Sequence, residues 1–90
     1  MSPISSTALS GLNAASLQLQ SSAHNIANAM TPGFRRQLVS QTADPAGGVN
    51  ASLTQATDAG ESLAEDIVGQ MTASVLYRAN AQTLRTDRDL

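Results

Sequence analysis

Apolar residues return at Ile4, Ala8, Leu12, Ala15, Leu19, Ala23, Ile26 and Met30 in steps of three or four residues. This spacing draws one stripe along a helix and is incompatible with a strand, whose faces alternate every second residue. The mean step of about 3.7 lies nearer the eleven-residue repeat than the heptad, which favours a straight helix over a left-handed supercoil. Ser2 followed by Pro3 reads as an N-cap with a first-turn proline. The stop is equally legible. Thr31 precedes Pro32 and is pushed out of the helical region, and Gly33 after that proline suits a type II turn. The helix is expected to end near Met30. Gly11 inside it costs about 1 kcal/mol against Ala, which makes sense only where a neighbour uses the missing side chain.

A second stripe, Leu63, Ile67, Met71 and Val75, begins after "ES" at residues 61 and 62. Glu61, Glu65 and Asp66 occupy its start and Arg78, Arg85 and Arg88 its second half, the charge order that a helix dipole favours. Between the stripes, "RRQLVSQT" could run extended for a few residues, and "ADPAGGVNASLTQATDAG" has no firm periodicity. The expectation is therefore an all-α chain forming one domain: an N-terminal helix over 1–30, a Thr-Pro-Gly turn and irregular linker over 31–60, and a C-terminal helix over 61–90. Gly47 and Gly48 fall in that linker with no visible constraint. Two narrow stripes of mostly small residues cover little apolar surface between them, so the helical hairpin is expected to pack into a larger bundle or tube.

Chemistry is narrowed by what the 90 residues lack. With no cysteine and a single histidine, His24, thiolate and zinc sites are excluded, and no cofactor is expected. The formal net charge of −2 and five scattered arginines oppose nucleic-acid binding. No apolar run approaches the ~20 residues that span a bilayer, so no direct membrane insertion is expected. The start, "MSPISSTALSG", has neither the basic nor the apolar region of a secretory signal. No nucleophile–base pair, phosphate-cradling glycine loop or paired carboxylates point to catalysis, so the chain is read as a non-enzyme.

The segment "LSGLNAASLQLQSSAHNIANAMTPGFRRQ", residues 9–37, resembles the N-terminal signature of the bacterial flagellar basal-body rod and hook axial proteins: Gly-Leu-x-Ala, then Asn-Ile-Ala-Asn, then Thr-Pro-Gly-aromatic and a basic residue. "SLAEDIVGQMTASVLYRANAQTLRTDRDL" is similar to that family's C-terminal helix, with an acidic pair, a Tyr-x-Ala-Asn at Tyr77, Ala79 and Asn80, and a Leu-x-Thr at Leu84 and Thr86. Some 30 residues separate the two, so the resemblance is to a short, rod-type member lacking a large outer domain. It implies a structural subunit of the flagellar rod, polymerising through its terminal helices into an axial tube. It also implies export through the flagellar type III apparatus without a cleaved signal, a place in the periplasm-spanning rod, and partnership with itself and with other axial proteins.

The residues on which this reading rests are of three kinds. Leu12, Leu19 and Ile26, with Ile67, Met71 and Val75, are expected as the buried contacts of an assembly of subunits, and Tyr77 as an interface or core anchor beside Asn80. Asn25 and Asn28 either bond backbone carbonyls near the helix end or fix the helix-to-turn geometry. Thr31, Pro32, Gly33 and Phe34 form the turn. Arg35-Arg36 is either a solvated pair or a partner for carboxylates of an adjacent subunit, such as Glu65 or Asp66. The competing function is a non-flagellar adaptor whose helical hairpin binds a partner through the same stripes.

Overall fold

The structure, a computed structural model, describes residues 2–90. Helix α1 runs Pro3–Ala27, strand β1 Gln37–Ala43, strand β2 Val49–Gln55 and helix α2 Leu63–Asp89. Ser2 caps α1 as its sequence implies, its hydroxyl accepting the Ser5 N–H at 3.0 Å. At the other end the helix stops three residues early, at Ala27, and Asn28–Met30 form a turn.

The all-α expectation is wrong in the middle of the chain. Residues 37–43 and 49–55 pair as an antiparallel hairpin in unbroken register, from Gln37 opposite Gln55 to Ala43 opposite Val49. Alternation produces it. Val39, Ala43, Val49, Ala51 and Leu53 share one face of the paired strands with Gln37, Gln41 and Gln55, and the other face carries Leu38, Ser40, Thr42, Asn50, Ser52 and Thr54. The half-buried positions at the base and tip, Gln37, Val39, Val49 and Ala51, belong to the first face, which lies on α1. The loop is built by Asp44, whose side chain accepts the Ala46 N–H at 2.9 Å and whose carbonyl accepts the Gly47 N–H at 2.9 Å around Pro45. The segment read as an irregular linker is thus a third structural element.

The helices pack antiparallel, and α1 lies between α2 and the hairpin, whose strands pack on it. That position explains why Ala8, Ala14, Ala15, Ser21, Ser22 and Asn25 of α1 are buried, against only Asp66 and Ala73 of α2. The seam between the helices is made of small and polar residues, not of the large apolar ones. A side chain at Gly69 would meet Gln18 at 3.1 Å and Ser22 at 3.3 Å, and one at Gly11 would collide with Asn80. Down the seam, Asn25 meets Asp66 at one end, and Ser2 and Ser5 meet Asp87 at the other.

Candidate functional site

Asn25 ends the last full turn of α1 and is 3% exposed. Its amide acts as a piece of backbone: Nδ2 donates to the Gln37 carbonyl at 2.9 Å and Oδ1 accepts the Gln37 N–H at 2.8 Å. An asparagine side chain offers one donor and one acceptor in the geometry of a peptide group, so it occupies the place a neighbouring strand would take at the start of β1. Nδ2 also donates to Asp66 Oδ1 at 3.1 Å. One residue therefore joins α1, the hairpin and α2.

Asp66 closes the site from the first turn of α2, where a carboxylate also benefits from the helix dipole. It is 4% exposed, and its charge is met by a two-point bond from Arg36, Nη2 to Oδ1 at 2.6 Å and Nε to Oδ2 at 3.2 Å. The Asp66 hydrogen bond raises the Arg36 pKa above its already high ordinary value; burial opposes the shift, and the charges of Asp66, Glu65 and Glu61 add to it. The solvent-facing Glu65 approaches Arg36 at 3.6 Å. The carboxylates that the sequence offered to an adjacent subunit are thus taken by Arg36 of the same chain. Arg35 turns the other way and donates to the Ala56 carbonyl at 2.8 Å.

The turn that feeds this site has Gly33 at φ +74° and the Phe34 N–H on the Thr31 carbonyl at 3.3 Å, the geometry of a type II turn. Asn28 stays local, donating to the His24 carbonyl at 3.0 Å and accepting from the Thr31 hydroxyl at 3.2 Å. Phe34 meets His24 edge to face at 5.3 Å, which gives that histidine a packing role. Thr31 and Pro32 are exposed. The two asparagines of the motif therefore differ: Asn25 joins three elements, whereas Asn28 shapes one turn.

The stripe residues of the two helices differ in exposure within the single chain. Leu12, Leu19 and Ile26 are half-buried along α1. Ile67, Met71 and Val75 are 43%, 65% and 57% exposed, so within this chain they are not buried contacts. The physical reason is the small-residue seam, which turns α2 so that Gly69 and Ala73 face α1 and the larger side chains face outward. Tyr77 is also exposed, and Asn80 lies on the seam against Gly11. Sequence reasoning missed Gln37, which Asn25 holds through its backbone, and it missed the Ser10 hydroxyl, which accepts the Val49 N–H at 3.1 Å. It also missed Ser2 and Ser5 on Asp87, although the repeated serines before an N-terminal helix were visible.

The polar groups at the head of the seam are committed to one another, which makes this a clamp between three elements. Among the described residues no cluster of His, Cys, Asp or Glu has the arrangement of a metal site, and no helix is long and apolar enough to cross a membrane. No curated protein matches the chain at a significant level. Residues 6–35 match the family described as flagella basal body rod protein, a segment that contains Gly11, Asn25, Asn28 and the whole Thr31–Phe34 turn. Over that segment, a third of the chain, the sequence is similar to the flagella basal body rod proteins.

Proposed function

We propose that this chain is a rod subunit that polymerises head to tail into the axial tube through the outward faces of its helices. The observation that carries the reading is the inside-out arrangement of α2. Its small residues Gly69 and Ala73 face α1, and Ile67, Met71 and Val75 lie in a row on the solvent side with Val68 beside them. Seven-residue and four-residue spacings keep such a row on one side of a helix. Identical contacts that do not close into a ring grow a tube. In this reading α1, α2 and the turn and hairpin between them work as one unit, passed through the flagellar type III apparatus without a cleaved signal. Its neighbours are further copies and other axial proteins of the periplasm-spanning rod. Asn25, Arg36 and Asp66 hold the two helices in register, so that the outward rows of Leu12, Leu19 and Ile26 and of Ile67, Met71 and Val75 keep a fixed spacing.

The test separates folding from assembly. Because Ile67 and Met71 are exposed in the single chain, Ile67→Asp with Met71→Asp should leave its circular dichroism and melting nearly unchanged, within about 0.5 kcal/mol per site. In a tube those aspartates would meet an apolar contact at every repeat, which costs several kcal/mol per subunit. The variant is expected to be made and exported, absent from basal bodies seen by electron microscopy, and unable to support motility. Normal basal bodies with the variant subunit in place would overturn the proposal.

A further inference from the structure

The hairpin has two outer edges, and α1 caps one end of each. Asn25 bonds both backbone groups of Gln37 at the start of β1, and the Ser10 hydroxyl accepts the Val49 N–H at the start of β2. The bonds from the Ala56 N–H to the Arg36 carbonyl and from the Asp44 N–H to the Gly48 carbonyl fix the phase of the ladder, so even-numbered residues of β1 and β2 bond each other and odd-numbered ones point sideways. Ala51, Leu53 and Gln55 therefore present N–H and C=O groups along the free edge of β2. The corresponding edge of β1 lies on the α2 side, where Gln41 shares a cavity with Gly69, Thr72 and Leu76. The β2 edge lies on the other side and opens onto a groove of about 540 Å³ floored by Asn13, Ser16, Leu17 and Gln20 of α1.

Exposed edges are normally blunted by charge, proline or a bulge. This one has none: "VNASLTQ" carries no charged residue and no proline, and its seven pairs with β1 are unbroken. We infer that the free edge of β2 pairs antiparallel with β2 of a second copy, forming a two-fold dimer with a four-stranded sheet over the helices. With Leu53 opposite Leu53 of the second copy, Ala51 faces Gln55 and the three residues on each side exchange their free backbone bonds. The dimensions agree. Strands ~4.8 Å apart place the midlines of the two hairpins about 10 Å apart, so the α1 helices beneath them sit within the 8–10 Å at which helices pack. The groove is then filled by the α1 flank of the second copy, which meets a mostly polar lining. A two-fold pair points its copies in opposite directions, whereas a polar tube points all of them alike. The dimer is thus a form of the unassembled subunit and stands apart from the head-to-tail assembly proposed above.

The experiment is sedimentation velocity of the full chain, with Ala51→Pro as the variant. The Ala51 N–H points away from β1, so proline there keeps every bond of the hairpin and removes one donor on each side of the two-fold axis. Losing two hydrogen bonds per dimer should weaken it by about tenfold or more, with the circular dichroism unchanged. Gln55→Pro follows the same logic at an exposed position and serves should Ala51→Pro fold poorly. Because the chain has no cysteine, Ser52→Cys mixed with Thr54→Cys reports directly: the two-fold register sets them opposite each other, and oxidation should give a mixed disulfide dimer. Thr42→Cys mixed with Thr54→Cys, one strand further away, should not. A monomeric wild-type chain would overturn the inference. So would a dimer that survives both proline variants but is lost with Ile67→Asp and Met71→Asp, since it would then be held by α2.

Discussion

Asn80 of α2 occupies the space that a side chain at Gly11 of α1 would need, with its Oδ1 2.6 Å from where a Cβ would stand. The glycine that weakens α1 on propensity grounds is what lets the helices close at this point, and the tolerance comes from the opposite helix.

Gly11→Ala should therefore fail to deliver the ~1 kcal/mol of added helix propensity and should instead destabilise by about 1 kcal/mol, because Asn80 must leave its bond to the Leu76 carbonyl. Adding Asn80→Ala makes room for the new methyl. A double-mutant cycle by urea denaturation is expected to give a favourable coupling of about 1–2 kcal/mol; a coupling near zero would show that the two residues do not share the space.

The two asparagines of the motif should separate cleanly. Asn25→Ala strands both backbone groups of Gln37 and one oxygen bond of Asp66, at a cost of about 2–4 kcal/mol. Asn28→Ala removes exposed local bonds and should cost under about 1 kcal/mol. Arg36→Met leaves the buried Asp66 carboxylate uncompensated, an effect of about 3–5 kcal/mol, part of which Asp66→Asn should recover in the double variant. Equal melting of the Asn25→Ala and Asn28→Ala chains would remove the clamp.

For folding stability the structure constrains Gly48 more than Gly33. Gly33 has φ +74° but open space around it, so Gly33→Val carries backbone strain alone, about 1–2 kcal/mol. Gly48 has φ +88°, and a Cβ there would also overlap Ser10, whose hydroxyl holds the Val49 N–H. Gly48→Val should cost about 1–3 kcal/mol more than Gly33→Val, read as the difference in urea midpoints at constant slope.

Acid should loosen the end of the seam opposite Asn25. Hydrogen bonds from Ser2 and then Ser5 hold the Asp87 carboxyl below the ordinary aspartate value of 3.8. A depressed folded-state pKa stabilises above the unfolded value, and the contribution is lost as pH falls through the folded one. The tie is therefore intact at neutral pH and released only below the usual aspartate range. Amide exchange of the last turns of α2 should rise there in the wild type, and Asp87→Asn should show the released behaviour already at neutral pH.

The two helices were readable because capping and proline act locally: Ser2-Pro3 and Thr31-Pro32-Gly33 bound α1 within three residues of its observed ends. The hairpin was harder to see because its inner face is filled by Val, Ala and Gln, too weakly apolar for alternation to stand out. The usable signal was Asp44-Pro45-Ala46-Gly47-Gly48, a short glycine-bearing loop between two uncharged seven-residue runs. The seam between the helices was hidden for a related reason. Periodicity weights large side chains, whereas Gly11, Ala15, Gly69 and Ala73 win the seam because they permit closer approach. The clamp was half legible: Asn25 and the Arg36 and Asp66 charges were visible, but that they belonged together depended on a hairpin placing Arg36 beside the start of α2.

The central position of α1 sets an order of release. It packs against both α2 and the hairpin, so opening it loses both sets of contacts, whereas α2 and the hairpin are joined to each other chiefly through the Arg36–Asp66 pair. Hydrogen exchange should be slowest through the middle of α1, around Ala14 and Ala15, and faster in both α2 and β2. A partial opening at α2 would leave a smaller helix-and-hairpin remnant, in which the small side chains of the seam lie open to solvent.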